Sequence, residues 1–154
     1  MVKLVTNKKV LVILFLTFPF FFLFLFFNQN QEFRLLYSDK EIVNIGKSIY
    51  LKNCASCHGK NLEGQKNWQI RQNDGYLLAP PHDKTGHTWH HSDYYLFMVT
   101  KFGIEEIIKK SYPNNMPIYK DLLNDKEIIS VLSYIKSTWP EEIRIMQDKL
   151  NKNR

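Results

Sequence analysis

The chain has 154 residues, two cysteines and a formal charge of +6. Lys3, Lys8 and Lys9 precede an uncharged run that ends at Phe27; the remainder holds all 15 acidic residues and is only +3. That surplus is too small and too scattered for a nucleic-acid footprint, and thiols three positions apart are a poor structural staple but a usable redox or metal site.

Val10–Phe27 is apolar on every face, VLVILFLTFPFFFLFLFF. Eighteen residues at helical rise span about 27 Å, close to the ~30 Å hydrocarbon core of a bilayer. A cleaved signal peptide has a shorter apolar core and small residues at its cleavage site, whereas this run ends in Phe26-Phe27-Asn28-Gln29. Residues 1–27 therefore predict an uncleaved signal anchor, a single transmembrane helix. The lysines before it stay cytoplasmic, which puts the rest beyond the inner membrane, in a bacterial periplasm. Residues 28–38 read as a tether.

Ser38-Asp39-Lys40-Glu41 has the form of a capping box with Ser38 as N-cap, and Ile42, Ile45, Ile49 and Tyr50 follow at helical spacing. They predict a helix over 39–53 running straight into Cys54. Gly46 weakens such a helix, which suggests the close approach of another. From Gly59 to Thr88 the Gly-, Asn- and Pro-punctuated sequence predicts a long irregular loop, of a length usually found where a loop is functional. Ser92 caps a predicted helix over 93–101 with Gly103 past its end, and 104–111 continue as a second short helix. Asn124 and Glu127 form another capping box; Ile128, Val131, Leu132 and Ile135 make one apolar face behind it, and Pro140 ends the helix after Trp139. Residues 140–154 read as a polar tail, a short helix or disordered. No strand is predicted, so the class is all-α, with one folded domain over 39–139.

Cys54-Ala55-Ser56-Cys57-His58 is a C-x-x-C-H motif. Two thiols at this spacing reach the two vinyl groups of one haem, and the next residue, His58, lies under the iron as an imidazole ligand. Two other chemistries use the same thiols. A thioredoxin-like dithiol wants a βαβ context, which a helix followed by a loop does not supply. A tetrahedral zinc site would take Cys54, Cys57 and two of His82, His87, His90 and His91, but leaves His58 without a purpose.

Over Asp39–Trp139 the chain resembles the mono-haem class I cytochromes c of bacteria. Gly46, Tyr50 and Cys54–His58 match that family's first helix and haem motif, and Leu123–Lys136 matches its last helix. The resemblance implies a fold of short helices wrapped round one covalent haem c, the first and last crossing near Gly46 and Tyr134. It implies a Met-Pro loop ligand before the last helix, which Met116-Pro117 supplies, so that His58 and Met116 are the axial pair. It also implies a Pro carbonyl, Pro80 first among Ala79-Pro80-Pro81, accepting from the proximal His, and propionate donors among Trp68, Arg71, Tyr76 and Trp89, Arg71 and Trp89 foremost.

The function so implied is single-electron transfer in a respiratory chain, between a quinol-oxidising complex and a terminal oxidase or reductase, without substrate turnover. Alternatives are a haem-based sensor or metal-handling module, and a subunit of a larger oxidase complex. Lys47, Lys52, Lys60, Lys66 and Lys101 are available to steer an acidic partner. His82, His87, His90 and His91 exceed what a minimal cytochrome needs. They are read as a polar loop over the haem edge; copper or zinc binding, with His87 and either His90 or His91 as the better pair, and an alternative sixth ligand stand beside that reading.

Overall fold

The computed structural model describes residues 33–152. The predicted anchor and tether residues up to 32, and the last two residues of the tail, lie outside them. Among the described residues six α-helices follow in order: α1 Lys40–Asn53, α2 Ala55–His58, α3 Asp93–Phe102, α4 Ile104–Ile108, α5 Asp125–Ser137 and α6 Glu141–Lys152, with a 3-10 turn at Thr88–His90 before α3. Among the described residues there is no strand, and no helix is long and apolar enough to cross a membrane.

The centre of the fold is the crossing of α1 and α5. A Cβ placed on Gly46 would stand 1.9 Å from the Ser130 carbonyl oxygen and 3.0 Å from the Tyr134 Cβ. Only a residue without a side chain lets the two backbones meet, which outweighs the propensity cost of glycine within a helix. α5 starts at Asn124 with a complete capping box and buries Ile128, Val131, Leu132 and Ile135. Trp139, also buried, closes that face and donates from its indole N–H to the His82 carbonyl at 2.8 Å.

The start of α1 differs from the sequence expectation. Its N-cap is Asp39, not Ser38: the Asp39 carboxylate accepts from the backbone N–H groups of Glu41 and Ile42. Asp39 N–H closes a turn on Leu36 O, which leaves Ser38 inside the turn and puts an anion at the helix N-terminus, where the dipole favours it. α4 ends at Ile108, earlier than expected, because Lys109 adopts the left-handed conformation.

The segment read as a polar tail, a short helix or disordered, is α6, and two of its polar residues, Gln147 and Asn151, face inward. Ile143, Gln147 and Asn151, four apart, are buried. Gln147 and Asn151 meet a buried ion pair: Lys136 of α5 contacts both carboxylate oxygens of Asp93 at 3.0 Å, with 1% and 0% of the side chains exposed. Asp148 joins Lys136 at 2.6 Å, the Gln147 amide donates to Asp93 and to His91 O, and Asn151 accepts from Asp93 N–H. Leu35 N–H donates to the same Asp93 carboxylate and Leu36 N–H to Ser133, so the end of the predicted tether lies against the body. A buried pair gains little net stability, but removing one member of it costs about 3–5 kcal/mol.

Candidate functional site

Cys54 both ends α1 and precedes α2, a single turn that holds Ala55 to His58. Tyr50, fully buried, donates its hydroxyl to Gly59 O at 2.7 Å and clamps that turn from the preceding helix. Cys54 is partly buried and Cys57 exposed, and they are not joined to each other. Burial pushes the Cys54 thiol up to about 11; a hydrogen bond with Tyr119 offsets part of this, and the Cys57 thiol adds a smaller rise. A reactive dithiol needs the opposite shift, a stabilised thiolate, so the thioredoxin-like alternative finds no support.

His58 is buried, and its Nδ1 lies 2.8 Å from the Pro80 carbonyl oxygen. A carbonyl only accepts, so Nδ1 carries the hydrogen and Nε2 keeps a lone pair. Burial lowers the His58 pKa more than the Pro80 bond raises it, which keeps the ring neutral and its Nε2 able to ligate a metal. The acceptor is itself held from several directions. Ala79 N–H donates to the Gln65 side chain, Gln65 N–H to Ala79 O, His82 N–H to Leu62 O and Gly64 N–H to His58 O. Gly64 has φ +66°, and a Cβ there would stand 2.4 Å from Pro81 N. Such bonding fixes the ring plane of a ligating histidine.

His82 stacks on His58, ring centroids 4.0 Å apart, and its Nδ1 meets the Thr88 hydroxyl at 2.7 Å. Among the described residues no three His, Cys, Asp or Glu side chains converge in a metal-sized group. The four-ligand zinc alternative thus lacks its donors.

The predicted propionate donors differ in their surroundings. Trp89 packs against the core, and its buried indole N–H has no acceptor among the described residues. Arg71 is exposed, donates to Gly75 O at 2.7 Å and lies over the Tyr112 ring. Trp68 is tilted against His87, and Tyr76 forms a local turn in which its N–H donates to Asp74. Met116 is exposed in a non-helical segment, its N–H bonded to Asn114 Oδ1 at 3.0 Å. Tyr119, which the sequence analysis did not single out, is buried and donates to Asn53 O at 2.8 Å. It fastens the residues after Met116 to the residue before Cys54, and no sequence spacing announces that bond.

Two thiols one helical turn apart, an oriented neutral imidazole and an unsatisfied buried N–H able to donate to a propionate are a donor set that fits a covalent haem. The model of the cytochrome c family matches residues 43–139, more than half of the chain. The chain belongs to the cytochrome c family. It is a c-type cytochrome with one covalently bound haem c, an electron carrier rather than a classical enzyme. No curated protein and no solved structure gives a significant match.

Proposed function

We propose that the chain is a membrane-anchored respiratory cytochrome in which Cys54 and Cys57 form the thioether links and His58 and Met116 are the axial iron ligands. The observation that carries the reading is the buried His58–Pro80 bond, which aims Nε2 away from the backbone and fixes the imidazole that would hold the iron. When bound, haem c supplies a one-electron ferric–ferrous couple. Cys54 and Cys57 keep it attached, and His58 sets its orientation. Met116 provides a soft, neutral sulfur that favours the ferrous state and raises the potential. Trp89, with Arg71 beside it in role, holds a propionate by hydrogen bonding. His58 and Met116 would both hold the iron, and the chemistry the haem would then supply is outer-sphere electron transfer.

The anchor at residues 1–27 places this domain on the periplasmic face of the inner membrane as a single-pass protein, with the N-terminal lysines inside. Its partners in this reading are a quinol-oxidising complex and a terminal oxidase or reductase. The test uses full-length protein from a host with haem-ligation machinery. One haem should survive acid-acetone extraction in the wild type, and Cys54→Ala or Cys57→Ala should weaken or abolish that retention. The protein should remain in carbonate-washed membranes. A fully extractable haem, or a mature N-terminus near Gln31, would refute the corresponding half of the reading.

A further inference from the structure

His87 and His91 stand on either side of the 3-10 turn Thr88–His90, and their Nε2 atoms are 3.0 Å apart. Their neighbours hold this convergence in place. Before His87, a Cβ on Gly86 would lie 1.9 Å from Pro81 O, so the chain runs tight against that carbonyl. Between them, Thr88 is buried and its hydroxyl is bonded to His82. After them, His91 O accepts from the buried Gln147 amide, and the His91 ring stacks on Tyr95 with centroids 4.5 Å apart. Burial and neighbouring imidazoles lower the pKa of both rings, which favours their neutral form; in the 3.0 Å contact one Nε2 donates its hydrogen to the other, and both Nε2 lone pairs face one ion once the donor ring takes its Nδ1–H tautomer.

The separation of the nitrogens suits a cis pair of ligands on one ion. Two imidazole nitrogens 3.0 Å apart, each at the usual ~2.0–2.1 Å from a shared ion, subtend about 94° at that ion. That is near the cis angle of a tetragonal complex and well short of the tetrahedral angle zinc prefers. Tetragonal nitrogen ligation is the habit of copper(II), which also heads the affinity order of the divalent first-row metals.

We propose that His87 and His91 form a copper(II)-binding site, as cis imidazole ligands, distinct from the haem motif. Since no third His, Cys, Asp or Glu among the described residues joins a metal-sized group, the other coordination positions go to water or an external donor, and the ion exchanges readily. His90 does not share the site: its ring stacks on Trp89, centroids 3.7 Å apart.

The experiment is titration of copper(II) sulfate into the full-length, haem-loaded protein in detergent, by calorimetry and electron paramagnetic resonance. The expected result is one ion per chain at micromolar affinity or tighter, with a tetragonal signal split by two nitrogens. His87→Gln and His91→Gln should each weaken binding about tenfold or more, at least the cost of losing an outer-shell partner at metal sites; His90→Gln should leave it unchanged. The haem Soret band of each variant reports that the domain still folds. Equimolar zinc should fail to displace the copper. The proposal is overturned if the wild type binds no copper, if binding is insensitive to both variants or sensitive only to His90→Gln, or if zinc competes equally.

Discussion

His58 and Met116, the two side chains proposed to flank one iron, are held in different ways. His58 is buried on a helical turn, bonded to Pro80, and the Pro80 segment is tied to residues 62–65 by further hydrogen bonds. Met116 is exposed, and its segment is ordered by a local bond to Asn114 and, three residues on, by Tyr119 bonding to Asn53. The proximal side is therefore fixed by the protein's own buried hydrogen bonds, while the Met side has a firm far end and an exposed tip. A ligating imidazole must present one nitrogen in one plane, which its second hydrogen bond fixes.

The comparison breaks most severely if the body behind the proximal loop is disturbed. Lys136→Ala leaves the buried Asp93 carboxylate without its cation and should cost about 3–5 kcal/mol, read as a lowered denaturation midpoint at unchanged slope. Lys136→Met, of similar length, should be nearly as damaging, since the stranded charge on Asp93 is the cause. A loss under about 1 kcal/mol would mean that the charge finds other partners. Next comes Gly64→Ala. It combines a left-handed backbone with a Cβ 2.4 Å from Pro81 N and should cost about 2–3 kcal/mol, from strain and the displaced neighbour. Because Pro80 moves with Pro81, this variant should also alter the haem spectrum.

Much of this was legible in the sequence. The caps at Ser92 and Asn124, the 3.6-residue apolar face of α5 and the glycine at the α1 crossing are local signals, each written within a few residues. Ser38 and Asp39 are both good caps and adjacent, so sequence alone could not choose between them; the Leu36–Asp39 turn does. A short helix was one of the two readings of the segment that forms α6, but its packing was hidden, because its inward face includes Gln147 and Asn151, residues that read as solvent-facing until Asp93 and Lys136, distant in sequence, are brought under them. Tyr119 was hidden for the same reason. The His87–His91 pair was half legible: the spacing of the residues was visible, but the tertiary contacts around them, Tyr95 against the His91 ring and Gln147 on the His91 carbonyl, were not.

The Met side should respond less in stability and more in chemistry. Tyr119→Phe removes one hydrogen bond to Asn53 and should cost about 1 kcal/mol, with the haem still covalently bound. Met116→Leu nearly conserves volume, so its packing cost is small; its main expected effect in the haem-loaded protein is loss of the iron–sulfur bond, a lower reduction potential and disappearance of the weak far-red band of ferric iron–thioether bonding. An unaltered spectrum in that variant would transfer the sixth ligand to a histidine of the 82–91 loop.

The most direct test of the two-sided ligation is carbon monoxide binding to the reduced, haem-loaded protein, wild type against Met116→Leu. The account predicts that the wild type resists the gas, because His58 and Met116 fill both axial positions, and that the variant takes it up promptly. Rapid binding by the wild type, at the rate of the variant, would contradict it and point to an open iron site of the kind a haem sensor needs.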